Sequence, residues 1–396
     1  MRRIVIVGGG LAGHRAACAL VDSEFGGEIT IVGEEEHRPY DRPPLSKQVL
    51  GGIHEDESAF YDSEVLSDAN WKLGSPAAGL DVAKNVVTLA NGEEVEYDGL
   101  VIATGRRAME LPGFHGHEGV HMLRSLDDSR ALRKAAVRDK RVVIVGAGFI
   151  GCEVAATLRG VGVDDVTMVE MVPHPMPVVG PDVGARAAKI HEDHGVRLQL
   201  GTVVSEPVGQ ARIEGVRLEN GDVIPADLVL ISIGSVPNSE WLDESGLQLN
   251  KGTVVCDENC FALGTDNVVA AGDVASWPHP DAGGELVWVE HWTNARDMGA
   301  AAAKNLIAEP GERQPHVTVP TFWSDQYDVK IKSAGFLQAA DRIEVIEEDP
   351  EKPSLVAEAH KGDLLTGAIV FNKNRRIIDY QRQLGEQTAA TNTAAA

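Results

Sequence analysis

An α/β fold with two Rossmann-like nucleotide-binding units and a small C-terminal α+β unit is predicted by three observations. A glycine phrase occurs twice, a carboxylate follows each copy at a similar distance, and the pattern changes after Pro320. The first phrase opens with the β-branched run Arg3-Ile4-Val5-Ile6-Val7 and continues as Gly8-Gly9-Gly10-Leu11-Ala12-Gly13. A helical stretch over residues 12 to about 21 follows. A second strand over 28–32 then leads to Glu34, 21 positions after Gly13. The second phrase runs through Arg141-Val142-Val143-Ile144-Val145 and Gly146-Ala147-Gly148-Phe149-Ile150-Gly151, then a helix to about residue 158. A strand over 166–170 closes on Glu170, 19 positions after Gly151.

Each glycine has its own task. The first permits a tight turn, the second lets backbone N–H groups approach a pyrophosphate, and the third lets helix and strand pack closely. The helix N-terminus stabilises phosphate charge, and the carboxylate accepts hydrogen bonds from ribose hydroxyls. The two copies lie 138 residues apart, counted from Gly8 to Gly146, so the chain reads as two similar halves. Each half carries a hairpin signal, Asn91-Gly92 within 87–97 and Asn220-Gly221 within 216–224, and each hairpin precedes an apolar strand, at 100–105 and 228–234. Beyond Pro320, strand-like runs at 328–332, 342–346, 354–358 and 364–370 indicate a small mixed domain. Residues 386–396 are rich in Thr and Ala and are expected to form a flexible tail.

Charge removes several classes of partner. With 36 Lys+Arg against 60 Asp+Glu, the net charge is −24, which disfavours nucleic acid and anionic membrane surfaces. No apolar run approaches the roughly 20 residues of a membrane helix. The four cysteines of this 396-residue chain, Cys18, Cys152, Cys256 and Cys260, do not form a disulfide framework; with no secretory signal, a cytoplasmic location is expected. The pair Cys256 and Cys260 reads as a turn between strands, and Cys152 as a helix-packing residue. The run His191-Glu192-Asp193-His194-Gly195 superficially resembles a metal cluster, but it is expected to be polar surface at a helix end.

The motif order resembles the FAD-dependent NAD(P)H:ferredoxin reductases that feed Rieske-type oxygenases and cytochrome P450 systems. The resemblance spans residue 4 to about residue 372. Its most specific elements are Arg42-Pro43-Pro44-Leu45-Ser46-Lys47, Ala103-Thr104-Gly105, Ala271-Gly272-Asp273-Val274-Ala275 and Phe322-Trp323-Ser324-Asp325-Gln326-Tyr327. It implies a glutathione-reductase-like arrangement: a discontinuous FAD domain at 1–112 and 238–319, an NADH domain at 113–237, and a C-terminal interface domain at 320–385. The first phrase then becomes the FAD site, with Gly8, Gly10, Ala12 and Gly13 around the pyrophosphate and Glu34 on the ribose. Arg42, Ala78, Ala103, Thr104, Gly105, Arg124, Asp273, Trp292 and Trp323 are further FAD contacts under the same resemblance. Lys47 is expected beside the isoalloxazine ring, where a cation stabilises reduced flavin, and Glu153 is expected to pair with it; both are assigned as catalytic. The NADH site takes in Gly146, Gly148, Phe149, Gly151, Glu153, Glu170, Gly234 and Glu290. Glu170 would favour NADH over NADPH by repelling a 2′-phosphate.

The resemblance is incomplete at Thr321, where the family commonly has an aromatic, and at Pro177-Val178-Val179, where it often has arginine. No cysteine neighbours Lys47 in sequence and no C-x-x-C occurs, so a protein acceptor is expected rather than a disulfide, peroxide or oxygen, and the resemblance implies that it is a [2Fe–2S] ferredoxin. A positive face built from Lys330, Lys332, Lys373, Arg375 and Arg376 would receive it, with Trp292 and Trp323 walling the flavin edge. The protein itself is expected as a monomer or homodimer. The alternatives are an NADH:rubredoxin or quinone reductase, or a flavin- and NADH-sensing interaction protein.

Overall fold

A computed structural model describes residues 2–53 and 59–395. Among them are six α-helices: α1 (Leu11–Asp22), α2 (Leu126–Ala135), α3 (Phe149–Gly160), α4 (Pro181–Asp193), α5 (Trp292–Ile307) and α6 (Asn374–Ala395). The strand Arg3–Val7 is buried along nearly its whole length, as its unbroken β-branched run requires of a strand covered on both faces. It lies in the middle of a five-stranded parallel sheet, between Gly99–Ile102 and Glu28–Val32, with Val268–Ala270 and Asn70–Lys72 at the edges. The edge strand Val268–Ala270 and helix α5 come from beyond the second half of the chain, so this layer is built from two separate stretches of sequence. Helix α5 packs along α1, close enough that a Cβ on Gly299 would lie 2.3 Å from the Ala12 carbonyl oxygen.

The second half repeats the plan. Arg141–Val145 is flanked by Asp165–Glu170 and Leu228–Ile231, with Arg197–Leu200 and Val120–His121 outside them, all parallel. The two expected hairpins form at Val86–Leu89 with Glu94–Glu96 and at Gly215–Leu218 with Val223–Pro225. The C-terminal layer is a five-stranded antiparallel sheet in the order Thr321–Gln326, Val329–Gly335, Leu364–Phe371, Ser354–Lys361, Arg342–Asp349. One face of that sheet packs on the second unit and the other on α6, through Ile377, Tyr380 and Leu384.

The C-terminal segment departs from expectation. Helix α6 runs to Ala395 instead of giving way to a flexible tail at 386. The Thr/Ala composition suggested little to bury, but Thr388 is buried and its hydroxyl donates to Asp281 Oδ2 at 2.6 Å. That bond ties α6 to the turn Pro280–Ala282, where His279 Nδ1 accepts from the Asp281 N–H and His279 Nε2 donates to the Thr318 carbonyl.

Thr388→Ala is expected to lower the melting temperature by about 2–4 °C, through a lost hydrogen bond to a charged group worth about 1.5–3 kcal/mol. An unchanged melting curve would mean that α6 does not anchor there. Burial also holds several histidines neutral: it lowers His279, and it brings His316, His291 and His191 down to about 4. An unfolded chain binds these protons near pH 6.5, so stability is full above that pH and declines as the pH falls toward 4. Calorimetry between pH 8 and pH 4 is expected to give a flat melting temperature down to about 6.5 and a progressive drop below it.

Candidate functional site

The two glycine turns are forced by contacts that no side chain could share. Gly8 has φ +125°, and a Cβ there would sit 2.1 Å from the Ala103 carbonyl oxygen. A Cβ on Gly13 would sit 2.0 Å from the Gly8 carbonyl oxygen, and Gly146 and Gly151 repeat both constraints in the second unit. Gly10 faces open space, caps α1 without a side-chain hydrogen bond, and is followed by a first turn free of acidic residues. The α1 terminus therefore presents unopposed N–H groups to an anion.

These groups open onto a cavity of about 1300 Å³ lined from all three layers. Of the residues expected at the FAD, Gly8, Gly10, Ala12, Glu34, Arg42, Lys47, Ala103, Thr104, Gly105, Arg124, Asp273, Trp292 and Trp323 line it. Gly13 stands behind the turn as a packing glycine. Ala78 does not line the cavity; its neighbours Pro76 and Ala77 do, and Ala78 is exposed where the pairing of its strand shifts register. Of the residues expected at the NADH, Phe149, Glu153, Gly234 and Glu290 line the same cavity, whereas Gly146, Gly148, Gly151 and Glu170 lie outside its wall. Both oxygens of Glu170 accept backbone N–H groups, from Ala147 at 2.9 Å and Val172 at 3.1 Å, which fixes the carboxylate beside the second glycine turn.

The segment that carries Lys47 is held from three sides. Arg42 donates to Glu35 Oε1 at 2.6 Å, to the Tyr40 hydroxyl at 3.0 Å and to the Arg124 carbonyl at 2.7 Å. Ser129 of α2 bonds the Leu45 carbonyl, and Thr157 of α3 bonds the Ser46 carbonyl. Lys47 Nζ then meets Glu153 Oε2 at 2.7 Å, with both side chains largely buried. Ser46 donates to the same oxygen at 2.5 Å, and Ser324 donates to Oε1 at 2.7 Å. A buried ion pair needs such extra donors, because Coulomb attraction alone barely offsets the loss of water.

Around this pair the walls are aromatic. Phe149 meets Phe322 edge-on at 4.6 Å between ring centroids, and Trp292 meets Trp323 edge-on at 5.8 Å. Trp292 Nε1 is anchored on Asp41 at 2.7 Å, and the Tyr61 hydroxyl donates to the same Asp41 oxygen. Asp273 takes Arg124 at 3.2 Å, and Arg106 reaches Glu290 at 3.3 Å. Phe322, His291, Tyr40 and Ser46 also line the cavity, and the sequence assigns none of them a contact there. Phe322 lay one residue from a chosen tryptophan, but nothing in its local pattern marks it as facing Phe149.

The residues present fit a flavin dinucleotide. The cavity runs from the first glycine turn to Phe149 and Glu153 at the start of α3, a Cβ at Gly8 or Gly13 would clash with backbone, and Arg124 Nε is a buried donor without a partner in the protein. All four cysteines are free and buried, burial pushes their thiols up, and none lines the cavity. Cys256 and Cys260 flank a turn as expected, with Cys260 at φ +72°. Among the described residues no cluster of His, Cys, Asp or Glu could hold a metal ion, and no helix is long and apolar enough to cross a membrane. The surface reading of His191–Gly195 is wrong for its first member: Glu192, Asp193 and His194 are exposed, but His191 is fully buried, because α4 packs that face against the C-terminal sheet.

Comparison with known proteins agrees with this arrangement. Residues 2–299 match the family "Pyridine nucleotide-disulphide oxidoreductase", and residues 321–396 match "Reductase C-terminal". The chain is 37% identical to rhodocoxin reductase of Rhodococcus erythropolis, over 85% of this chain and 79% of that one. It is 35% identical to the ferredoxin–NAD(+) reductase component of the biphenyl dioxygenase system of Paraburkholderia xenovorans, over 86% and 83%. The reductase in the covalent putidaredoxin reductase–putidaredoxin complex superposes with a TM-score of 0.89 at 29% identity, covering 96% of this chain and 92% of that one. The chain therefore belongs to the pyridine nucleotide-disulphide oxidoreductases, among the ferredoxin reductases of oxygenase systems, and itself carries the Reductase C-terminal domain.

Proposed function

We propose that this chain is an NADH:ferredoxin reductase that passes electrons, through bound FAD, from NADH to a [2Fe–2S] ferredoxin serving an oxygenase or a cytochrome P450. The observation that carries this reading is the Lys47–Glu153 pair set in a cavity that runs from the first glycine turn to Phe149 and Glu153 of α3 and that no cysteine lines. When bound, FAD supplies the capacity to take a hydride as two electrons and to release them singly.

The chain's own residues bind, orient and shield. The α1 terminus and the Gly8–Ala12 turn would hold the pyrophosphate, Glu34 the ribose, and Arg42, Arg124 and Asp273 the polyol chain. Lys47 offers a cation where negative charge develops, and Glu153 keeps that cation from turning back to solvent. Phe149 and Phe322 form an apolar gate beside the pair, excluding water from a hydride path that requires positioning more than acid–base chemistry. On the second unit, Glu170 stands at the end of Asp165–Glu170, and the residues that follow it, Met171-Val172-Pro173-His174, include no arginine to take a 2′-phosphate.

Electrons leave where Trp323 reaches the C-terminal sheet. Trp323 pairs directly with Lys332, so the indole and the ammonium project from one face of the sheet. Lys330 pairs with Asp325 at 3.0 Å and Lys373 with Glu347 at 2.5 Å, which leaves Lys332, Arg375 and Arg376 as the stronger attraction for an acidic carrier.

Three outcomes test the proposal. Anaerobic mixing of the flavin-loaded protein with NADH should bleach the flavin, and ferredoxin added next should be reduced; bleaching with no transfer to ferredoxin, rubredoxin or quinone would leave only a sensing role. NADH should exceed NADPH by about tenfold or more in the rate of bleaching at equal concentration, a difference near 1.4 kcal/mol, and equal rates would remove the role given to Glu170. Lys332→Glu should lower ferredoxin reduction several-fold at low ionic strength and flatten its salt dependence, and an unchanged salt profile would place docking elsewhere.

A further inference from the structure

Glu153 is the end of a line of hydrogen bonds that starts at Tyr327, just past the end of strand Thr321–Gln326, and runs between the C-terminal sheet and the second unit. Ser324 Oγ lies 2.7 Å from Glu153 Oε1, Gln326 Nε2 lies 3.1 Å from Ser324 Oγ, His191 Nε2 lies 3.1 Å from Gln326 Oε1, and the Tyr327 hydroxyl lies 3.0 Å from His191 Nδ1. Ser324, Gln326 and His191 are buried, and Tyr327 is stacked on His194 at 3.6 Å.

The direction of every proton in the line follows from its last member. A carboxylate only accepts, so the single Ser324 proton is committed to Glu153, and Gln326 must turn its amide N–H toward Ser324. Its carbonyl oxygen then faces His191, which must donate from Nε2 and accept at Nδ1 from Tyr327. Burial holds His191 neutral, with its pKa lowered to about 4, so the ring has one donor and one acceptor, as the line requires. The second amide hydrogen of Gln326 goes to Met176 Sδ at 3.6 Å. Four hydrogen bonds thus point the same way, each polarising the next toward the carboxylate.

We infer that Ser324, Gln326 and His191 are positioning residues, a one-way hydrogen-bond chain that fixes Glu153 against Lys47 and thereby sets how strongly the Lys47 cation acts on the redox centre. The inference rests on the proposed flavin role of Lys47. The geometry gives it a sign. Glu153 now divides its two oxygens, Oε2 to Lys47 and Ser46 and Oε1 to Ser324. Without the Ser324 donor, Oε1 is a buried acceptor with nothing to accept from, and Lys47, already bonded to Oε2, has three hydrogens with which to satisfy both oxygens. The ammonium is drawn onto Glu153 and away from the cavity.

The test uses the flavin-loaded full chain with Ser324→Ala, Ser324→Thr and His191→Leu. Its readouts are the two-electron midpoint potential of the flavin, the rate of bleaching by NADH and the melting temperature. Ser324→Ala is expected to slow bleaching about tenfold and move the potential more negative, and Ser324→Thr, which keeps the hydroxyl, to restore both. His191→Leu, two links further out, is expected to move the potential in the same direction with a smaller loss of rate, about threefold. An unchanged potential in Ser324→Ala, or a His191→Leu protein that melts earlier with its potential unmoved, would overturn the chain and reduce these residues to packing. Should the unaltered protein fail to bleach with NADH, the proposed function falls first, before the variants are compared.

Discussion

The Lys47–Glu153 ion pair is the constraint on which the rest of the site depends. Its two members are 106 residues apart and come from different parallel-sheet units, and the carboxylate is completed by Ser324 from a third layer, 171 residues further along the chain. Placing two opposite charges in an interior costs several kcal/mol per ion unless each receives further hydrogen bonds. Those bonds are available only when all three layers are docked. The pair therefore links the site to assembly: whatever loosens the C-terminal sheet also releases Glu153.

The same reasoning explains why the cavity can be large without being loose. Arg42 with Glu35 and Tyr40, Trp292 with Asp41 and Tyr61, and Arg124 with Asp273 each fasten one wall to another. Polar groups of this kind are costly singly and rigid together. The net charge of −24 sits on the outside of this frame. Under the proposed function it would work against an acidic partner at long range, so the proposed docking face needs local relief, which the cations near Trp323 would supply.

Much of this was legible in the sequence, and the parts that were not share a cause. The glycine phrases are read easily because each glycine answers a local steric demand, such as the approach of Gly8 to the Ala103 carbonyl, that recurs wherever the turn recurs. The hairpins at Asn91-Gly92 and Asn220-Gly221 are equally local. Phe322 against Phe149, Ser324 on Glu153 and the burial of His191 depend on two distant surfaces meeting, and no spacing records that meeting. His191 shows the difficulty well: its polar neighbours and the helix end at Gly195 indicate surface, yet the opposite face of the same turn is interior. Helix α6 failed for the related reason that Thr and Ala are weak evidence of burial until a partner such as Asp281 is known.

The central claim is that Lys47 and Glu153 act as one unit, and a double-mutant cycle on the rate of flavin bleaching by NADH measures it directly. Lys47→Met, Glu153→Gln and the double variant would each be loaded with FAD and mixed with NADH in a stopped-flow instrument. The account predicts that the double variant is within about threefold of the slower single variant, because the second change removes an interaction already lost. Losses that multiply, as independent residues would give, would contradict it.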